Sequence, residues 1–529
     1  MWEFLESKTF WLILTIVGLT YIYLRHFVFN YWTLHGVPHE QPSLLLGNLT
    51  WDFITAKISL GNWLKQSYDK FRNYPFHGLY VFGRPVLMIN DPALIRTVLV
   101  QEFSRFCDRG WLSNMEKIDP MTANLFLQPE HKWRRLRQKF SPTFTPNKMR
   151  QFHPLMAEIG QQMVEACDEE LLRSGRSVLE VKDIVGRYTT DIISSVVYGF
   201  NCNSLKDPDH AFRRLGERAF EFGRFNQLLG IFLPELPGLV ALPFYHREVR
   251  DFFAKLFKDM VERRREAPVD RKDFMNLLIE LMDRGSVKAD DAAAEEESEE
   301  QSAKRTTDDQ DLLSMSEAAA QAFVFFLAGF ETSASTATWA LLELAMNQDI
   351  QHRLQREIDQ VADGPEGFTF EKIESMEYLD MVLSETFRKY SAVAFLNRLC
   401  VEEYRIPGTS YTVPRGMRLV ISSHGVHHDP DIYPRPHEFD PERWRRENVA
   451  AWCSTAQLQF GAGPRNCIGK RFGLLQAKQA LVSLLGHFEF RVSDETRLPC
   501  AMETETMVQT PKHGVLLRAE RRRKRTDDD

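Results

Sequence analysis

The chain has 529 residues, 43% of them hydrophobic and 26% charged, which suffices for a large core and excludes a mostly disordered or collagen-like chain. The formal net charge is −7, but seven acids and no bases fall between Asp290 and Glu300, so the remainder is neutral and offers no basic domain suited to nucleic acid. Seven scattered cysteines without a CxxC pair indicate neither a disulfide scaffold nor a zinc module, and favour a reducing compartment.

Residues 9–24 (TFWLILTIVGLTYIYL) carry no charge; as a helix they span about 24 Å against a hydrocarbon core of about 30 Å. Lys8 and Arg25 can snorkel to the two interfaces, with Tyr21, Tyr23, Tyr31 and Trp32 at headgroup depth. A single membrane anchor over residues 1–35 is expected, because no small-residue cleavage site follows Leu24 and the apolar run continues through Phe27 to Phe29. The slight excess of positive charge after the span places the body in the cytosol.

Two prolines and two glycines in GVPHEQPSLLLG, residues 36–47, make a stiff hinge. Around Tyr80-Val81-Phe82 and Pro85 to Ile89, short β-branched runs bounded by turns predict a small sheet. Helical period dominates afterwards, over 149–172, 181–198, 252–264, 312–346, 351–361 and 377–390. The tract 285–311, rich in Ser, Ala, Glu and Asp, cannot bury apolar surface and reads as an acidic disordered loop within one domain, 36–529.

The most informative segment is Phe460-Gly461-Ala462-Gly463-Pro464-Arg465-Asn466-Cys467-Ile468-Gly469. Its glycines and proline hold a tight loop ahead of a helix predicted to start near Ile468, whose N–H groups would favour a Cys467 thiolate, a good axial ligand for iron. A lone cysteine is more often a small buried hydrophobe. Ala328-Gly329-Phe330-Glu331-Thr332-Ser333 sets an acid and a hydroxyl inside a long apolar helix, where Gly329 would let the helix widen around a water or ligand. The bland alternative is a Thr332 bonded back to the preceding turn with Glu331 on a wet face.

Glu385 and Arg388 share a helix face, as do Trp133 and Arg137 within HKWRRLRQK. Ion pairs at such spacing are common and mean little by themselves. Five cations in that second segment (Lys132, Arg134, Arg135, Arg137, Lys139), with Lys470-Arg471, would form a basic patch for an acidic partner if they share one side of the protein, or equally a solvated face.

The cysteine segment closely resembles the haem-binding signature of the cytochrome P-450 monooxygenases, with every fixed position matched. The segment 328–333 is similar to that family's oxygen-activation motif, and Phe439 to Trp444 to the second half of its Glu-Arg-Arg triad. Asp273 to Leu278 and Phe395 to Arg398 resemble its microsomal, insect-type branch. The resemblance implies a mainly α fold with a minor β region, the cytochrome P-450 fold, preceded by one transmembrane helix. It implies haem b with Cys467 as the axial iron ligand, and Trp133, Arg137, Arg398, Phe460 and Arg465 as cofactor-binding residues. Thr332 and Glu331 become the catalytic pair, the threonine as hydrogen-bonding group and the acid as proton relay. Glu385, Arg388 and Arg443 become a structural lock.

The implied function is insertion of one atom of O2 into an apolar small molecule, a xenobiotic or an endogenous lipid or hormone. Electrons come from NADPH through a reductase flavoprotein, with a b-type cytochrome as a further donor, on the cytosolic face of the endoplasmic reticulum membrane. The rivals are a haem peroxide isomerase or dehydratase, against which Glu331-Thr332 argues, and a non-catalytic haem protein that binds hydrophobic ligands. Ser391-Ala392 stand where the family usually has Pro-Pro, which makes substrate transfer from relatives unsafe. Pocket-lining segments of the family fall here on Phe323, Ala328, Val393, Phe395, Thr506 and Met507.

Overall fold

The computed structural model describes residues 8–112, 115–221, 223–236, 242–269, 271, 273–285, 312–362, 367–449 and 456–522. The expected acidic loop lies outside the described residues from position 286 to 311. The fold is mainly helical with small sheets, and the chain divides into two compact units. The first comprises Met1–Gly110, Val393–Pro436 and Trp452–Asn466, the second Trp111–Ala392, His437–Ala451 and Cys467–Asp529.

In the first unit, a helix runs from Lys8 to Tyr23 and continues as a π-helical turn over Leu24–Val28. Phe10–Leu34 is long and apolar enough to cross a membrane, and Leu12, Ile16, Val17 and Leu19 are exposed around it. Apolar side chains on every side suit a helix with apolar surroundings. Trp32 departs from its expected place at headgroup depth. It is fully buried in this unit, where its indole N–H donates to Leu79 O at 3.0 Å and its backbone N–H to the Tyr80 hydroxyl at 3.0 Å. A buried indole needs such a partner, and the unit's sheet supplies one.

That sheet has the order Phe76–Val81, Arg84–Ile89, Arg418–Ile421, Leu396–Leu399. The first pair is an antiparallel hairpin, turned at Phe82 and Gly83 with φ of 50° and 81°, the two positive values that a tight hairpin turn needs. Arg84–Ile89 runs parallel to Arg418–Ile421, which pairs antiparallel with Leu396–Leu399 and sets Arg398 opposite Leu419.

The second unit is built on a long helix, Met315–Met346. Ser314 starts it with a capping box: its hydroxyl accepts from Glu317 N at 3.2 Å, and its own N–H donates to Glu317 Oε2 at 3.0 Å. The apolar period alone placed that start three residues earlier, since period does not see caps. Pro146–Ser174 likewise begins at a proline behind the Thr145 cap. Further helices are Glu130–Phe140, Val181–Ile193, Ala211–Arg218, Arg247–Glu266, Gln348–Ala362, Glu377–Lys389 and Lys470–His487. A three-stranded sheet in the order Val178–Glu180, Leu516–Arg521, Phe488–Val492 closes this unit.

Candidate functional site

Cys467 is exposed, whereas Cys107, Cys167, Cys202 and Cys400 are buried. Burial raises the pKa of the Cys167 thiol and pushes Cys202 up to about 12 and Cys400 up to about 11. The helix after the cysteine begins at Lys470 with Gly469 as its cap, two residues later than expected from sequence, because the glycine-rich turn runs on past Ile468.

This helix packs on the long helix within the second unit. A Cβ on Gly473 would lie 3.7 Å from Ser333 Oγ, and one on Gly329 would lie 3.8 Å from Phe472 Cε1. The crossing therefore falls on the turn carrying Glu331 and Thr332, and its other side, Phe472 and Gly473, follows Cys467 closely in sequence. Gly329 does not widen the helix, which is α-helical throughout. Its missing side chain instead admits Ile193, whose Cδ1 would be only 2.5 Å from a Cβ there. Close approach of two helices, not helix opening, is what this glycine permits.

In the long helix most side chains are buried, but Ala328 is exposed and Glu331 and Thr332 are partly accessible. The Thr332 hydroxyl donates to Ala328 O at 2.5 Å, the back-bonded state, and its oxygen remains able to accept. Burial raises the Glu331 carboxyl above its ordinary value, opposed by Lys182 and the Thr510 hydroxyl. Phe323 does not share this exposure. It is fully buried among Tyr245 and Phe253, at ring separations of 4.9 and 5.0 Å.

Trp133 and Arg137 lie four apart on Glu130–Phe140; Trp133 is buried and Arg137 partly so. Burial lowers the Arg137 pKa, and the charge of Cys467 opposes that shift, so cation and sulfur lie within electrostatic reach in this unit. The rest of the helix's basic face is largely engaged: Lys132 pairs with Glu116 at 2.9 Å, Arg135 with Glu317 at 3.4 Å, and Arg134 with Glu130.

Arg398, Phe460 and Arg465 belong to the first unit. Arg398 and Arg465 are both 3% exposed. Burial, together with the charge of Arg465, pushes Arg398 down to about 9. Its Nε is buried with no hydrogen-bond partner among the described residues, and the Asp108 carboxylate approaches Arg465 Nη2 at 3.4 Å. Two buried cations side by side are costly unless an anionic group is bound with them. The pair fits the two carboxylates of a haem.

Asp108 and Arg109 were not foreseen from sequence. Arg109 donates to Arg465 O at 3.3 Å, and Asn397 Nδ2 donates to Arg109 O at 2.5 Å. No local signal marks them, since their partners lie hundreds of residues away. Gly463 has φ of 72°, and a Cβ there would sit 1.9 Å from Leu99 O; only glycine fits. His427, also unforeseen, holds the loop's approach by accepting from Leu458 N at 3.1 Å.

Glu385, Arg388 and Arg443 do come together. Arg388 Nε and Nη2 each donate to Glu385 at 2.8 Å, Arg443 Nε donates at 3.3 Å and the Trp444 indole at 3.0 Å.

The mostly helical body and the glycine-rich cysteine loop agree with a haem monooxygenase, the class to which this chain's relatives assign it. The chain belongs to the cytochrome P450 family, whose model matches residues 38–518. It is 38% identical to Cytochrome P450 6a2 of Drosophila melanogaster over 507 residues, covering 94% of this chain and 97% of that protein. It is 36% identical to Cytochrome P450 6A1 of Musca domestica over 513 residues, covering 95% and 96%.

Proposed function

We propose that the protein is a membrane-tethered haem-thiolate monooxygenase acting on an apolar small molecule, with Cys467 as the residue that would hold the iron of haem b. The observation that carries this reading is the accessible Cys467 ahead of a helix that packs against the Glu331–Thr332 turn. When bound, the haem supplies dioxygen activation, one oxygen atom going to substrate and the other to water.

The chain's own residues bind and orient the cofactor and handle protons. By the resemblance, Trp133, Arg137, Arg398 and Arg465 would hold the haem carboxylates, and Phe460 would open the cysteine loop. Glu331, whose pKa burial raises, holds a proton nearer neutrality than an ordinary carboxyl and passes it through water towards the Thr332 hydroxyl. Electrons originate from NADPH and arrive through a reductase flavoprotein, with a b-type cytochrome as a further donor. Lys470 and Arg471, three and four residues after Cys467, would add positive charge for such a partner. The N-terminal apolar helix anchors the protein in the endoplasmic reticulum membrane, with the catalytic body in the cytosol.

The test is a reduced carbon-monoxide difference spectrum of the purified protein and of Cys467→Ser, followed by turnover with NADPH and reductase. A strongly red-shifted Soret band that disappears in the variant is expected. A histidine-type spectrum from the wild type overturns the assignment of the ligand.

A further inference from the structure

The segment Gln509 to Pro511 lies along the face of the long helix that carries Glu331. Gln509 O accepts from Ser335 Oγ at 2.6 Å and from the Trp339 indole at 2.9 Å. Ser335 and Trp339 follow Glu331 by one and two helical repeats of four, so all three share one face. Gln509 N donates to Ala392 O at 2.9 Å, and Lys182 Nζ donates to Pro511 O at 3.0 Å. The segment is thus fixed at both ends, and the residue between is Thr510.

Thr510 is 2% exposed, and its buried hydroxyl has no hydrogen-bond partner of ordinary geometry among the described residues. A buried hydroxyl without a partner is costly, and the group it lies against is the Glu331 carboxylate, whose ionised form it favours. The other charges facing that carboxyl are Lys182 on Val181–Ile193, and Arg213 and Glu217 on Ala211–Arg218. Arg213 is itself engaged by Asp183 at 2.5 Å and by Glu217 at 2.9 Å. Lys182 is fastened to the same segment as Thr510.

We propose that Thr510 is a positioning residue for Glu331, its hydroxyl donating to the carboxylate and holding it oriented for proton exchange. This rests on the reading of Glu331 as a proton relay. The segment after Phe490 thereby takes part in the chemistry through a single hydroxyl, which the Gln509 and Pro511 contacts keep in register. No signal in the sequence points to it, since Thr510 lies 179 positions from Glu331.

The experiment is an infrared pH titration of the holoenzyme, with the Glu331 carboxyl band assigned by its loss in Glu331→Gln. It is run on the wild type, Thr510→Val and Thr510→Ser, alongside product formed per NADPH consumed. In Thr510→Val the titration of the band is expected to move upward by about one to two pH units, the size of one hydrogen bond lost to a charged group. Product per NADPH falls several-fold while the carbon-monoxide spectrum stays unchanged, and Thr510→Ser restores both. Should Thr510→Val fail to fold, Thr510→Ala removes the hydroxyl with less disturbance. An unshifted titration in the hydroxyl-free variant overturns the proposal and leaves the role of Glu331 standing. Unchanged product per NADPH in Glu331→Gln removes that role instead, whatever the titrations show.

Discussion

Arg388 grips Glu385 through two parallel hydrogen bonds of 2.8 Å, with both side chains completely buried. Without Arg388 the buried carboxylate would keep only the longer Arg443 contact at 3.3 Å as a countercharge. It also accepts from Asp440 N at 3.0 Å, so it ties the helix Glu377–Lys389 to the segment around Trp444. Arg388→Ala should therefore cost about 3–5 kcal/mol. Arg388→Lys should recover only part of this, because a point charge cannot reproduce the planar fork. Denaturant melts of the three proteins measure both.

Gly463→Ala should be among the most damaging single-methyl additions in the chain. The new Cβ would meet Leu99 O at 1.9 Å, and the backbone there has φ of 72°. Gly461→Ala faces a similar φ of 70° but nothing closer than 3.8 Å, so it should cost only the conformational penalty of about 1–2 kcal/mol. Comparing the thermal midpoints of the two variants separates collision from backbone strain.

At Gly329 an added methyl meets the flexible end of Ile193 at 2.5 Å. Alanine improves helix propensity by about 1 kcal/mol, while overpacking costs about 1–3 kcal/mol, so Gly329→Ala should destabilise on balance. In an Ile193→Val background, which lacks the colliding Cδ1, the same change should be close to neutral. A double-mutant cycle on stability reads the coupling directly.

His77 gives a pH dependence of definite sign. It is fully buried, stacked on Phe71 at 4.6 Å, and accepts from Asn90 Nδ2 at 3.0 Å through Nδ1, leaving Nε2 to donate to Ser67 Oγ at 2.9 Å. Burial lowers its pKa from 6.5 to about 3. Below pH 6.5 the unfolded chain takes up a proton that the folded chain refuses. Stability therefore falls as pH drops from 6.5 towards 3, by about 1.4 kcal/mol per pH unit well inside that window. His77→Gln, which keeps a polar side chain without the titration, should flatten this part of the profile in acid-unfolding curves.

The sequence announced the long helix, the hairpin and the cysteine loop because each is written in local pattern: apolar period, β-branched runs between turns, glycines and proline around one cysteine. Glu385 with Arg388 was visible as a spacing, and Arg443 only through resemblance. Asp108, Arg109, His427, Ile193 and Thr510 were invisible, because each acts on a partner far away in the chain. Gly329 and Trp32 were seen but misread. A glycine inside a helix and an aromatic after an apolar run have several uses, and which one applies depends on what packs against them: Ile193 in one case, Leu79 and Tyr80 in the other.

The burial of Trp32 bears on how a form of this enzyme shortened at its N-terminus is to be cut. Its ring occupies the space that a side chain on Gly78 would fill, with atoms only 2.3 Å from such a Cβ. Deleting everything before the proline hinge would remove this indole and open a hole beside the sheet. A shortened version that begins near Asn30 keeps the plug in place while shedding the greasy rod ahead of it.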